Sequence, residues 1–281
     1  MSVSCNTGAA AVTEAGRPLL LDKVAIVTGS SKGIGQAIAV TFAAHGADVV
    51  VNYNNDAAGA AETASQIEAA GRRAVVVHAD VSQAQQVEAM VEACLRAFGR
   101  VDILVNNAAI GYRPRGGFLE IPKTDWDRVL RVNLDSLFFC SQRVLREMVA
   151  CGQGGKIINL SSVHGLITGP RGKVSPYYLT KAAINMFTKA LAVEFAPHRI
   201  NVNAIAPGAI RTPGLGKYPP DAEEPYRRRV PLGGRAEATE ISGTAVYLAS
   251  SLSDYMTGQV LYVDGGYTVS GTLTDWTPSE P

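Results

Sequence analysis

The feature that most restricts the fold of this chain is a repeated alternation of short, unbroken apolar runs with longer segments of helical character. Strand-like runs lie at Val24–Val27, Asp48–Tyr53, Ala74–His78, Val101–Val105, Lys156–Leu160, Ile200–Ile205 and Val260–Val263. Helical segments separate them at Ile34–His45, Asp56–Ala70, Gln83–Phe98, Asp125–Ala150, Ser175–Phe195 and Glu237–Ser250. Strands that are apolar on both faces need cover on both faces, and a parallel sheet with intervening helices provides it. The expected fold is α/β, a doubly wound parallel sheet of about seven strands with helices on both sides. Hydrophobic residues at 47% and charged residues at 18% fit a globular chain with a large core.

The first apolar run leads into Thr28-Gly29-Ser30-Ser31-Lys32-Gly33-Ile34-Gly35, and a helix opens there. Gly29, Gly33 and Gly35 let a backbone approach a pyrophosphate, and the opening helix offers unpaired N–H groups at its positive end. Strand, glycine loop and helix in that order are the context of a dinucleotide site, which makes the sheet Rossmann-type.

Further along, Tyr177 and Lys181 stand four apart in one helix and therefore share a face. A phenol with a pKa of about 10 is a weak acid or base at neutral pH. A nearby ammonium is expected to lower that pKa and produce a proton-transfer pair for an alcohol or carbonyl. Between loop and pair, the run Ile158-Asn159-Leu160-Ser161-Ser162-Val163-His164 ends a strand in hydroxyls. Ser162 is the choice for the residue that steadies the substrate oxygen, and Ser161 is expected to point to the other face.

Thr-Gly-x-x-x-Gly-x-Gly, Asn106-Asn107-Ala108-Ala109, Asn133 within a helix, Ser162 and Tyr177-x-x-x-Lys181 occur in the order found in the short-chain dehydrogenase/reductase family, which residues 21–270 resemble. The resemblance implies hydride transfer to or from a nicotinamide, with Asn133, Ser162, Tyr177 and Lys181 as catalytic residues and Asn133 supporting a water in a proton relay. It assigns the cofactor to Gly29, Ser31, Lys32, Gly33, Ile34, Gly35, Asn52, Tyr53, Asn54, Asp80, Val81, Asn107, Ala108, Ala109, Tyr177, Lys181, Pro207, Gly208, Ile210 and Thr212. Ala109 departs from the family's glycine at that place and is expected to crowd the cofactor wall slightly. The second strand ends in Asn52-Tyr53-Asn54, with no acid until Asp56. An acid at this point usually grips the ribose hydroxyls, so its absence together with Lys32 favours NADP(H), with NAD(H) as an alternative.

Asn159–His164, Pro207–Pro213 and Val51-Asn52-Tyr53 look like the bacterial glucose 1-dehydrogenase branch, which points to a sugar or polyol substrate. A 3-oxoacyl or small-ketone reductase shares the same catalytic residues and stays open, as does a cofactor-sensing scaffold without turnover. Residues 110–120, 165–176 and 211–231 are expected to set the substrate pocket, the last as a lid. Arg113, Arg115 and Arg171 are candidates for an acidic group on the substrate or for a solvated surface. His164 has no acid partner that the sequence places beside it, so a pocket wall is favoured over a hydrolase histidine. The four histidines show no metal-ligand spacing.

A net charge of +1 without a long basic stretch argues against nucleic acid. No run of about 18 apolar residues is present to span a membrane. Cys5, Cys94, Cys140 and Cys151 form no framework and read as reduced thiols of a cytoplasmic protein. Residues 1–20 read as a flexible arm, 21–270 as one NAD(P)-binding domain and 271–281 as a tail. The family resemblance also implies a homotetramer built through the two long helices.

Overall fold

The computed structural model describes residues 18–112, 117–168, 175–212 and 223–270. Most of the expected arm, the tail, Arg113, Arg115, Arg171 and the middle of the expected lid lie outside the described residues.

Seven strands form one parallel sheet. They are β1 (Val24–Val27), β2 (Asp48–Tyr53), β3 (Ala74–His78), β4 (Ile103–Asn106), β5 (Gly155–Leu160), β6 (Ile200–Pro207) and, after two short strands, β9 (Val260–Val263), in the order β3-β2-β1-β4-β5-β6-β9. The strand order reverses between β1 and β4, where open α/β sheets place their ligand crevice. The helices are α1 (Gly33–Ala44), α2 (Ala57–Ala69), α3 (Ala84–Phe98), α4 (Lys123–Leu130), α5 (Ser136–Cys151), α6 (Pro176–Phe195), the single turn α7 (Glu224–Arg227) and α8 (Thr239–Ala249).

Their apolar faces build two cores. Ile38, Phe42, Ile67 and Ile241 cover one face of the sheet, and Met90, Val91, Val144 and Met148 cover the other. Ile38, Phe42, Ile67, Met90 and Val91 are fully enclosed. Burial of each such side chain contributes about 1.5–3 kcal/mol, so the two clusters fix the sheet beneath the crevice.

Two departures from the sequence reading bear on the site. The helix expected over 125–150 is interrupted by a π turn at Arg131–Asp135, which carries the buried Asn133. Such turns sit frequently at functional sites. The helix expected from Glu237 starts instead at Thr239, because Ala236–Glu237 forms β8, paired in parallel with β7 (Ile210–Arg211).

Candidate active site

Strand β5 and helix α6 bring the reactive side chains together. Ser175 caps α6, its hydroxyl accepting from the Tyr177 N–H at 3.3 Å, with Pro176 at the first helical position. One turn on, Lys181 is 3% exposed and donates from Nζ to the Leu160 carbonyl at 2.6 Å. The same Nζ lies 5.5 Å from the centre of the Tyr177 ring. Ser162, just past β5, hydrogen-bonds the Tyr177 phenol and accepts from the His164 N–H at 3.2 Å. Ser161 turns away as expected, donating to Lys181 O at 3.1 Å and to Asn185 Oδ1 at 2.6 Å. Serine, phenol and ammonium thus converge where the end of β5 meets α6.

Burial dominates their ionisation. It pushes the Tyr177 phenol above its ordinary value, and the Ser162 hydrogen bond pulls in the opposite direction. Burial also brings Lys181 down to about 8. The expected drop in the Tyr177 pKa is therefore not what the protein shows. The phenol loses more by desolvation than it gains from its neighbours, and the ammonium is turned to a backbone carbonyl.

Asn133 is 1% exposed, and both ends of its amide are engaged. Oδ1 accepts from Ile110 N at 2.8 Å, while Nδ2 donates to Ile110 O at 3.1 Å and to Thr180 Oγ1 at 3.1 Å. The π turn ties the segment after β4 to the helix that carries Tyr177.

The glycine loop has the shape a pyrophosphate requires. Gly29 and Gly33 take φ of +62° and +61°, a region that side chains rarely adopt. A side chain at Gly35 would strike Asn107 Nδ2 and Gly29 O. Lys32, at the cap position of α1, has extended backbone and makes no side-chain cap, which leaves the helix N-terminus open for an anion. These features fit the phosphates of a dinucleotide.

Other predicted residues take different places around this loop. Ser31 and Val81 are buried and Ile34 is half-buried. Asn52 faces inward, accepting from Gly29 N at 3.0 Å and donating to Ala79 O at 3.0 Å, so its amide braces the loop. Tyr53 packs on His78 with ring centres 5.2 Å apart, and the Asn54 carbonyl meets His78 Nε2 at 2.9 Å. Asp80 Oδ1 accepts from Ser82 N and Oγ at 3.0 and 2.8 Å, closing a turn ahead of α3. Asn107 donates to Thr28 O at 2.8 Å and to Gly29 O at 3.0 Å. Ala108 is half-buried, and its N–H donates to Thr28 Oγ1 at 3.0 Å. Ala109 is exposed, so its methyl crowds no protein group.

Past β6, Pro207 and Ile210 are buried, and Gly208 packs so closely on Asp264 that a Cβ would lie 2.8 Å from its Cα. Thr212 reaches the loop, where a Cβ on Gly33 would meet its methyl at 3.3 Å. His164 stacks on Tyr178 with ring centres 4.5 Å apart, and burial lowers its pKa.

The bonds of several residues here escape a sequence reading. Thr28 Oγ1 accepts from Asn107 N at 2.9 Å, joining β1 to β4 beneath the crevice. Asn106 Nδ2 donates to Ser141 Oγ at 3.0 Å and to Asn159 Oδ1 at 2.9 Å, and Asn159 donates to Thr188 Oγ1 at 2.9 Å. Polar residues at core positions of apolar strands are the signal that finds them, because buried polar groups require partners. The spacing Gly-x-Ser-x-Gly of a hydrolase elbow also occurs, at Gly29–Gly33. Among the described residues no histidine hydrogen-bonds Ser31, so the elbow has no base. No cluster of three His, Cys, Asp or Glu side chains among the described residues could hold a metal ion, and no described helix is long and apolar enough to cross a membrane.

A family model described as Enoyl-(Acyl carrier protein) reductase matches residues 6–268. The chain is 42% identical over 252 residues to 3beta-hydroxysteroid dehydrogenase 1 of Eggerthella lenta, covering 89% of this chain and 95% of that one. It is 38% identical over 254 residues to Glucose 1-dehydrogenase 2 of Bacillus subtilis, covering 89% and 96%. Among solved structures, a gluconate 5-dehydrogenase from Burkholderia cenocepacia in complex with NADP and tartrate superposes with a TM-score of 0.82 at 36% identity, covering 90% of this chain and 97% of that one.

Proposed function

The chain belongs to the short-chain dehydrogenase/reductase family and is an NAD(P)(H)-dependent oxidoreductase of CH–OH and carbonyl groups; on that premise we propose that its substrate is a sugar or polyol. The observation that carries the proposed chemistry is the buried Lys181, bound to Leu160 O at the end of β5 and 5.5 Å from the Tyr177 ring centre, with Ser162 acting on the same phenol. The bound nicotinamide supplies or accepts the hydride. Tyr177 gives its proton to the substrate oxygen in reduction and takes it in oxidation. Ser162 donates to the same oxygen and steadies its developing charge. Lys181 has donors beyond the one spent on Leu160, and these hold the nicotinamide ribose. Asn133 is a positioning residue that keeps Ile110 and Thr180 in register with Tyr177.

The cofactor site comprises the glycine loop, Asp80, Val81, Asn107–Ala109 and the segment Pro207–Thr212. Lys32, exposed at the loop, favours NADP(H), with NAD(H) as a second cofactor. Support for a sugar or polyol comes from relatives named for glucose and gluconate. A second reading, reduction of a 3-oxoacyl or small-ketone substrate, rests on the same catalytic residues; the family model's description names an acyl-carrier-protein thioester but the reduction of its C=C bond. We read residues 21–270 as one domain and the protein as a cytoplasmic homotetramer. Leu179, Met186 and Val193 are exposed at seven-residue spacing on α6, one apolar stripe suited to a second copy.

The test is turnover of a panel of sugars, polyols, ketones and oxoacyl thioesters with NADP(H) and NAD(H). Sugar or polyol oxidation is expected. Activity confined to ketones or thioesters would move the protein to the second reading. Cofactor binding with no turnover of any substrate would make it a sensor.

A further inference from the structure

Residues 24–71 contain a single lysine or arginine, Lys32, and it does not stand free. Its Nζ lies 3.3 Å from Asp56 Oδ2. Asp56 is fixed in turn, since it caps α2 and its Oδ1 accepts from Gly59 N at 3.0 Å. Helix α2 itself is locked to the glycine loop. A Cβ on Gly59 would come within 2.5 Å of Ser31 O, and Thr63 Oγ1 donates to Ser30 O at 3.0 Å. The acid missing from the end of β2 is thus supplied three residues later by a helix cap, at a set distance from the loop. Within residues 24–71 it holds the one lysine or arginine that could meet a 2′-phosphate.

Resting on the reading that the loop binds NAD(P)(H), we propose that Asp56 is a specificity-determining residue: by pairing with Lys32 it reduces the advantage of the 2′-phosphorylated cofactor and keeps NAD(H) usable. A 2′-phosphate must draw Lys32 away from a carboxylate that cannot follow, and it meets that carboxylate's negative charge. An unphosphorylated ribose meets no such competition, and its hydroxyls can donate to an acid. The pair is partly exposed, with the Lys32 side chain 52% and the Asp56 side chain 33% accessible, so its hold is modest and the preference is graded rather than absolute.

The experiment compares adenosine 2′,5′-bisphosphate with 5′-AMP, which differ only in the 2′-phosphate, by calorimetric titration of the full chain. The variants are Asp56→Asn, which keeps a capping side chain, Lys32→Gln and the double variant. Asp56→Asn is expected to tighten the bisphosphate about fivefold relative to 5′-AMP, the upper range for an exposed ion pair. Lys32→Gln should lower that ratio, and adding Asp56→Asn to it should restore less than the single change gains. A ratio that Asp56→Asn leaves unchanged, or lowers, overturns the proposal while the cofactor reading stands. An equal gain with and without Lys32 overturns the role of the pair. If neither nucleotide nor NADPH or NADH binds the native chain, the cofactor reading fails and the proposal with it. Thermal melting of each variant separates loss of fold from loss of affinity.

Discussion

Lys181 holds the carbonyl of Leu160 with its Nζ at 2.6 Å, so the residue that ends β5 and the second turn of α6 are joined inside the protein. That bond sets Ser162, two residues after Leu160, against Tyr177, four residues before Lys181. It also places a charge where burial opposes charge, and the lysine's pKa falls to about 8.

A folded-state pKa below the unfolded value near 10.5 means that the unfolded chain binds more protons between about pH 8 and 10. This lysine therefore makes stability rise with pH in that window. Cys94 and Cys140, pushed up to about 12, and the raised Tyr177 act in the opposite direction from about pH 9 upward. The lysine's part is read as a difference. The melting temperature of Lys181→Met minus that of the native chain should decline from pH 8 to 10. A difference that is flat or increases contradicts the buried ammonium.

Ser162 supplies the hydrogen bond that offsets burial at Tyr177. In alcohol oxidation the phenol must lose its proton to act as a base, so the rate rises as Tyr177 ionises. Ser162→Ala should move that rise to higher pH and lower kcat about 10²–10³-fold, the usual loss for one donor to a developing oxyanion. A rise displaced to lower pH would remove the serine from this role. The profile is measured from pH 6 to 11.

Asn133 serves three protein groups from a buried position. Asn133→Ala should leave the Ile110 N–H and C=O without their partner and cost about 1–3 kcal/mol. For a chain of this length the loss corresponds to a fall in melting temperature of roughly 2–12 °C. Activity should fall with it, since the loop and Tyr177 lose their tie. Unchanged melting would show that the π turn holds without the amide.

The sheet, the glycine loop and the Tyr177–Lys181 pair were legible because each leaves a local pattern. Runs such as Val49-Val50-Val51 bound by polar residues, or a shared helix face at i and i+4, depend on neighbours in sequence. The π turn at 131–135 was not legible, because its cause is the bonding of Asn133 to Ile110 and Thr180, distant in sequence. The raised pKa of Tyr177 escapes the sequence for a related reason. Proximity of an ammonium can be read from spacing, but the depth of burial that outweighs it comes only from packing. Asp56 looked too late in sequence to meet the loop, and it meets Lys32 because α2 packs on Ser30 and Ser31.

In the proposed chemistry Tyr177 moves the proton while the rest of the site binds and orients. Tyr177→Phe removes one oxygen from a half-buried ring and leaves Lys181 on Leu160. The most direct measurement is kcat of this variant beside its affinity for NADPH. A fall in kcat of about 10²–10⁴-fold is expected with NADPH affinity within about twofold, since the ring and the Lys181 bond remain. Turnover within about tenfold of the native enzyme would contradict this role and place the proton transfer on another group.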